Sequence, residues 1–210
     1  MTVQLPDTLP QRIYLLALDP DRGKPRMGVH LNELVRAAAL SDLYLAGHLA
    51  DEKGRAVVAV RHPCHDPVLE TVLEELSAAR RHKWQYWVGR RGRQTAAAVR
   101  DQLADGGWVR VEKHKILGLF PSHRITPRDP RLHGRLRHRV TAALRDPLPR
   151  IDPADAALVS LAEAGKLRNV LDRGARRTHK RRLADLNERT GPLPKALKKA
   201  IAAQDAAAAG

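Results

Sequence analysis

Arg93, Ala97 and Arg100 lie four and three residues apart, which sets them on one face of a helix. Arg93 stands just before a helix read over Thr95–Ala104, where free backbone N–H groups already favour a phosphate. Arg90 and Arg91 add charge beside it. A guanidinium offers phosphate oxygens paired donors in a planar fork, which a lysine ammonium does not. The chemistry on offer is anion capture. The bland alternative is that these arginines are solvated, or pair with Asp101 and Asp105.

Other reactive types do not assemble. His62-Pro63-Cys64-His65-Asp66 packs metal-ligand types into five residues, but zinc needs a second ligand pair, and none stands at a usable spacing. Asp66 is better used as a helix cap. There is no Gly-x-Ser-x-Gly turn, Walker-type loop or dinucleotide fingerprint, so neither catalysis nor a cofactor is expected. Trp84 and Trp87 share a helical face, which fits interfacial anchors but fits core packing better.

The charge balance points to polyanionic partners. Lys and Arg total 38 against 23 acidic residues, a net +15. Residues 80–146 hold 17 basic and 5 acidic side chains, and residues 173–210 hold 10 and 3. The first 79 residues hold 8 and 11. In the last block Arg173, Arg176, Arg177, Lys180, Arg181 and Arg182 form a cluster that suits a lipid surface or a solvated helix face.

Elements able to position these groups are mostly helical. Aromatics are only 3%, so the core must rest on Leu, Val, Ile and Ala. Asp-Pro at 66–67, 129–130 and 152–153 each precedes an apolar run at helical spacing, with Asp as N-cap and Pro at the first helical position. A short buried helix is read at Ile13–Leu18, and a longer one from Leu31 to Leu45 with Gly47 near its end. One hairpin turns at residues 51–54 into Ala56–Val60, and another runs from Trp108–Glu112 to Leu117–Phe120. The fold expected is mainly α, a single-domain helical core with one or two small β-hairpins. Residues 1–7 form an arm, 8–203 the domain, and 204–210 an Ala-rich tail that frays.

Cys64 is the only cysteine, Met1–Pro10 lacks the pattern of a signal peptide, and no apolar run nears the ~20 residues that span a bilayer. A cytoplasmic setting fits. A basic helix followed by a hairpin is also the shape of a winged-helix module, which keeps nucleic acid as the alternative partner.

The order of pieces resembles the Golgi phosphoprotein 3 family, in its shorter bacterial form, over roughly residues 8–200. It is carried by Tyr14-Leu15-Leu16-Ala17-Leu18-Asp19, then Val35-Arg36-Ala37-Ala38-Ala39-Leu40-Ser41-Asp42-Leu43 with Gly47-His48-Leu49. Next come Val99-Arg100-Asp101-Gln102-Leu103 with Gly107-Trp108-Val109, and Leu117-Gly118-Leu119-Phe120-Pro121 with Asp129-Pro130. The resemblance implies a helical core wrapped by amphipathic helices and a non-catalytic role at the inner face of a membrane. Eukaryotic members bind phosphatidylinositol 4-phosphate through one Trp and three Arg, and help retain glycosyltransferases. Implied partners are therefore anionic lipids and a membrane enzyme or its cytoplasmic tail.

By position, two of the family arginines fall on Arg36 and Arg100, the third on Ala97 and the Trp on Met27. Arg93, one turn before Ala97, stands where it would replace the lost guanidinium. The family's long oligomerising hairpin is shortened between Val60 and Asp66.

Overall fold

The computed structural model describes residues 4–116 and 120–210. The helices are α1 Leu9–Ala17, α2 Leu31–Leu45, α3 Pro67–Ser77, α4 Trp84–Gly89, α5 Gly92–Asp105, α6 Arg131–Arg145, α7 Pro153–Ala164, α8 Arg173–Thr178, α9 Lys180–Arg189 and α10 Leu193–Ala209. Between them lie three antiparallel ribbons. They pair β1 Leu18–Asp19 with β2 Lys24–Pro25, β3 Leu49–Glu52 with β4 Arg55–Val58, and β5 Val109–Ile116 with β6 Phe120–Pro127.

Helix α2 is the axis of the core. Leu34, Val35, Ala37, Ala38, Ala39, Leu40 and Leu43 are buried around most of its circumference, as a helix enclosed by others requires. It touches α1, α3, α4, α5, α7 and α10. Small residues let these neighbours approach closely. At Gly92 a Cβ would come within 2.8 Å of the Asn32 carbonyl oxygen, so the start of α5 fits against the start of α2 only with glycine there.

Helix starts follow the Asp-Pro reading at two of three places. Asp66 Oδ1 accepts from the N–H groups of Val68 and Leu69, both at 2.9 Å, and Asp152 Oδ1 accepts from Ala154 N–H at 2.8 Å. At the third, the helix starts at Arg131 with Pro130 in the cap position, and Asp129, one residue before the cap, accepts from Arg131 N–H at 2.9 Å. The tight turn after β3 has Lys53 and Gly54 at φ of 52° and 79°, the positive values a two-residue hairpin loop needs.

Three expectations need correcting. The return strand of the second hairpin is Phe120–Pro127, longer and later than Leu117–Phe120, of which residues 117–119 lie outside the described residues. Leu167 is buried beyond the end of α7 rather than on it. Trp84 and Trp87 lie in the core, as the packing reading of that pair has it, with the Trp84 indole N–H donating to Asp51 Oδ1. The Ala-rich tail continues α10 to Ala209, where His30 meets Gln204 and Asp205 at 3.2 and 2.9 Å.

Candidate anion-binding surfaces

Arg36 is 0% exposed. Its Nε donates to the Trp87 carbonyl at 3.2 Å, Nη1 to Thr95 Oγ1 at 3.1 Å and Nη2 to Glu75 Oε2 at 2.7 Å. Arg91 Nη1 stands 3.8 Å from the other Glu75 oxygen. One guanidinium thus ties α2 to α3, α4 and α5. Burial pulls its pKa down while the Glu75 charge and hydrogen bond oppose that. An ion held this way is spent on the fold. The sequence did carry a hint, because Arg36 sits in a helix whose other faces are apolar, where a charge must find a partner.

Arg100 faces elsewhere. Its Nε and Nη2 both donate to Asp101 Oδ1, at 2.9 and 2.7 Å. Its charge reaches Tyr14 on α1, whose hydroxyl is pushed up to about 12 by burial, with Arg100 opposing. Arg36 grips α5 through Thr95, and residues 95 and 100 are separated by about 140° around a helix axis. The expected Arg36–Arg100 pocket is therefore not formed in this conformation: one side chain closes the core and the other leans toward α1.

The remaining expected residues divide similarly. Arg93, Ala97 and Arg100 do share a face of α5, but Arg93 is the second residue of the helix instead of preceding it. Arg90 donates to the Tyr86 hydroxyl at 2.9 Å and lies over that ring. Arg91 caps α5 in a left-handed conformation, φ 51°. Met27 is 92% exposed and lines a separate cavity that none of the others lines.

A larger basic surface was not legible as a unit. Helix α6 buries Leu132, Leu136, Val140, Ala143 and Leu144 and turns Arg137, His138 and Arg145 to solvent. Helix α9 buries Leu183 and Leu186 and exposes Lys180 and Arg181. Arg182 joins them: its Nε donates to the Ala143 carbonyl at 3.0 Å, and Nη2 reaches the Ala143 and Asp146 carbonyls at the end of α6. Arg189 Nη1 likewise donates to Leu148 O at 2.8 Å. Two charge blocks far apart in sequence thereby meet. Arg137, Arg145, Arg150, Arg173, Arg177, Lys180 and Arg181 are exposed and have no ion-pair partner among the described residues. Arg131 and Arg139, by contrast, pair with Asp129 and Asp155.

The other site types gain no geometry. Cys64 Sγ lies 3.7 Å from His48 Nε2, but burial and the neighbouring Glu70 raise the thiol pKa, the reverse of an activated nucleophile. Among the described residues no group of three potential metal ligands converges. No described helix is long and apolar enough to cross a membrane.

A family model for Golgi phosphoprotein 3 (GPP34) matches residues 9–204. The chain belongs to the Golgi phosphoprotein 3 family. No match was found among curated proteins. As a Golgi phosphoprotein 3 family member it keeps the helical architecture expected from the resemblance. Of the residues that the resemblance sets at the lipid site, Met27 and Ala97 bring no guanidinium, and Arg36 is enclosed by the fold.

Proposed function

We propose that this protein is a non-catalytic peripheral membrane protein that docks on anionic phospholipid head groups at the cytoplasmic face of a membrane. The observation that carries the reading is the junction made by Arg182, which holds the end of α6, with exposed Arg145, against α9, with exposed Lys180 and Arg181, next to α8 in the chain. Near an anionic bilayer each exposed Lys or Arg contributes ~1 kcal/mol, so half a dozen suffice for salt-sensitive attachment without an inserted anchor. Phosphatidylinositol 4-phosphate is one such head group; the burial of Arg36 favours attraction by the surface as a whole over a pocket built from Arg36 and Arg100. A protein partner such as a membrane enzyme's cytoplasmic tail fits an adaptor held at that surface. Vesicle sedimentation tests the reading: retention should follow anionic lipid content and fall with salt.

The nucleic-acid alternative draws support from the order α5, β5, β6, which preserves the helix-then-hairpin shape. Against it, the exposed side of α5 carries Asp101 and Asp105, and Asp101 occupies Arg100. A helix meant to enter a groove between phosphates would not present two carboxylates. A gel shift at low salt that shows tight duplex binding would favour this alternative instead.

A further inference from the structure

The cavity beside Met27 is a candidate site in its own right. It measures about 650 Å³ and lies between the segment 19–29 and the connection 166–169 that follows α7. Five cationic side chains line it, Arg22, Lys24 and Arg26 from one wall and Lys166 and Arg168 from the other, against the single carboxylate of Asp19. Asp19 pairs with Arg26 at 3.3 Å, while Lys24, Lys166 and Arg168 have no ion-pair partner among the described residues. Partial desolvation alone would raise the Asp19 pKa, but the N–H groups of Arg22 and Asp21 and the charges of Arg26 and Arg22 hold it below the usual range. It stays a carboxylate and offsets only one of the five charges.

Two buried polar atoms of its lining residues have no hydrogen-bond partner among the described residues: Arg26 Nε, a donor, and Asn169 Oδ1, an acceptor. The walls holding them are fixed. Arg26 N–H donates to Ala17 O at 3.1 Å, and Asn169 Nδ2 donates to Leu16 O at 3.1 Å, so both walls are tied to the end of α1.

Lys166 adds a third observation. Its φ is 56°, in the turn closing α7, where Leu167 N–H donates to Ala162 O at 2.9 Å. Gly47 and Gly107, at φ of 79° and 73°, fill the same place after α2 and α5. A left-handed lysine is strained where glycine is not, and this one lines the cavity.

We propose that this cavity binds a phosphorylated small molecule or head group, with Lys24, Lys166, Arg168 and Arg26 Nε on the phosphate oxygens and Asn169 Oδ1 accepting from a hydroxyl of the same ligand. The concave, predominantly cationic lining concentrates phosphate, and the volume exceeds what one bare phosphate needs.

Calorimetric titration with pyrophosphate, without membranes, tests the site independently of docking. One saturable event is expected, weakened at least about tenfold by Lys24→Gln with Arg168→Gln and unchanged by Arg177→Gln with Arg181→Gln. Lys166→Gly should weaken binding yet melt no lower than the parent, which separates loss of a ligand contact from loss of the fold. Absence of saturable binding, or equal weakening by both pairs, overturns the proposal. Pyrophosphate added to protein held on phosphatidic acid vesicles then identifies the source of the phosphate. Release assigns the cavity to lipid head groups, and retention assigns it to soluble phosphorylated ligands.

Discussion

Arg36 Nη2 and Glu75 Oε2 meet at 2.7 Å with the arginine wholly withdrawn from solvent, so the charge at position 36 works inward. Removing Glu75 strands Arg36 in the core, and removing Arg36 leaves the half-buried Glu75 only its 3.8 Å approach to Arg91. Arg36→Ala and Glu75→Ala should each lose about 3–5 kcal/mol of stability in urea unfolding, while Arg36→Met with Glu75→Leu should recover most of it. Full stability in Arg36→Ala would contradict the assignment. Lost lipid binding in that variant would report unfolding before it reported a pocket.

Arg182 makes a different prediction. Its guanidinium satisfies carbonyls at the end of α6, where free acceptors and the helix dipole favour a cation. Arg182→Met should cost about 1–3 kcal/mol, whereas Arg181→Gln, one residue away and exposed, should stay within about 0.5 kcal/mol. Equal urea midpoints for the two variants would break the claim that Arg182 joins α6 to α9.

Asp42 links stability to pH. Burial raises its pKa to about 7, partly offset by the Leu9 N–H bond at 2.7 Å and by Arg12. The folded chain therefore binds this proton more tightly than the unfolded chain. The resulting stabilisation is fully present below the ordinary carboxylate pKa of about 4 and is lost as pH rises through about 7. Asp42→Asn keeps an acceptor for Leu9 and should flatten that slope, leaving the variant more stable than the parent at pH 8. Parallel stability curves from pH 4 to 8 would count against it.

Much of the fold could be read from the chain because its signals are local. Asp66 and Asp152 cap where Asp-Pro stands, and the apolar spacing from Leu31 to Leu45 gives α2 its full length. The site was less legible, because its decisive contacts are long-range. Arg36 and Glu75 are 39 residues apart in sequence, as are Arg182 and Ala143, and no spacing rule connects such pairs. Arg93 and Arg100 were correctly set on one face, but which flank of α5 meets α1 depends on packing. The β1–β2 ribbon was missed because two-residue strands carry no periodicity, and with it the cavity beside Met27.

Sedimentation with vesicles of phosphatidylglycerol or of phosphatidylcholine is the most direct measurement of docking by the basic surface. The protein should pellet with phosphatidylglycerol, stay in solution with phosphatidylcholine, and release as salt shortens the screening length. Replacing Arg137, Arg177 and Arg181 with Gln should weaken the phosphatidylglycerol complex roughly 100-fold, at ~1 kcal/mol for each cation lost. Binding that ignores lipid charge, or a triple variant that pellets as fully as the parent, would contradict the account.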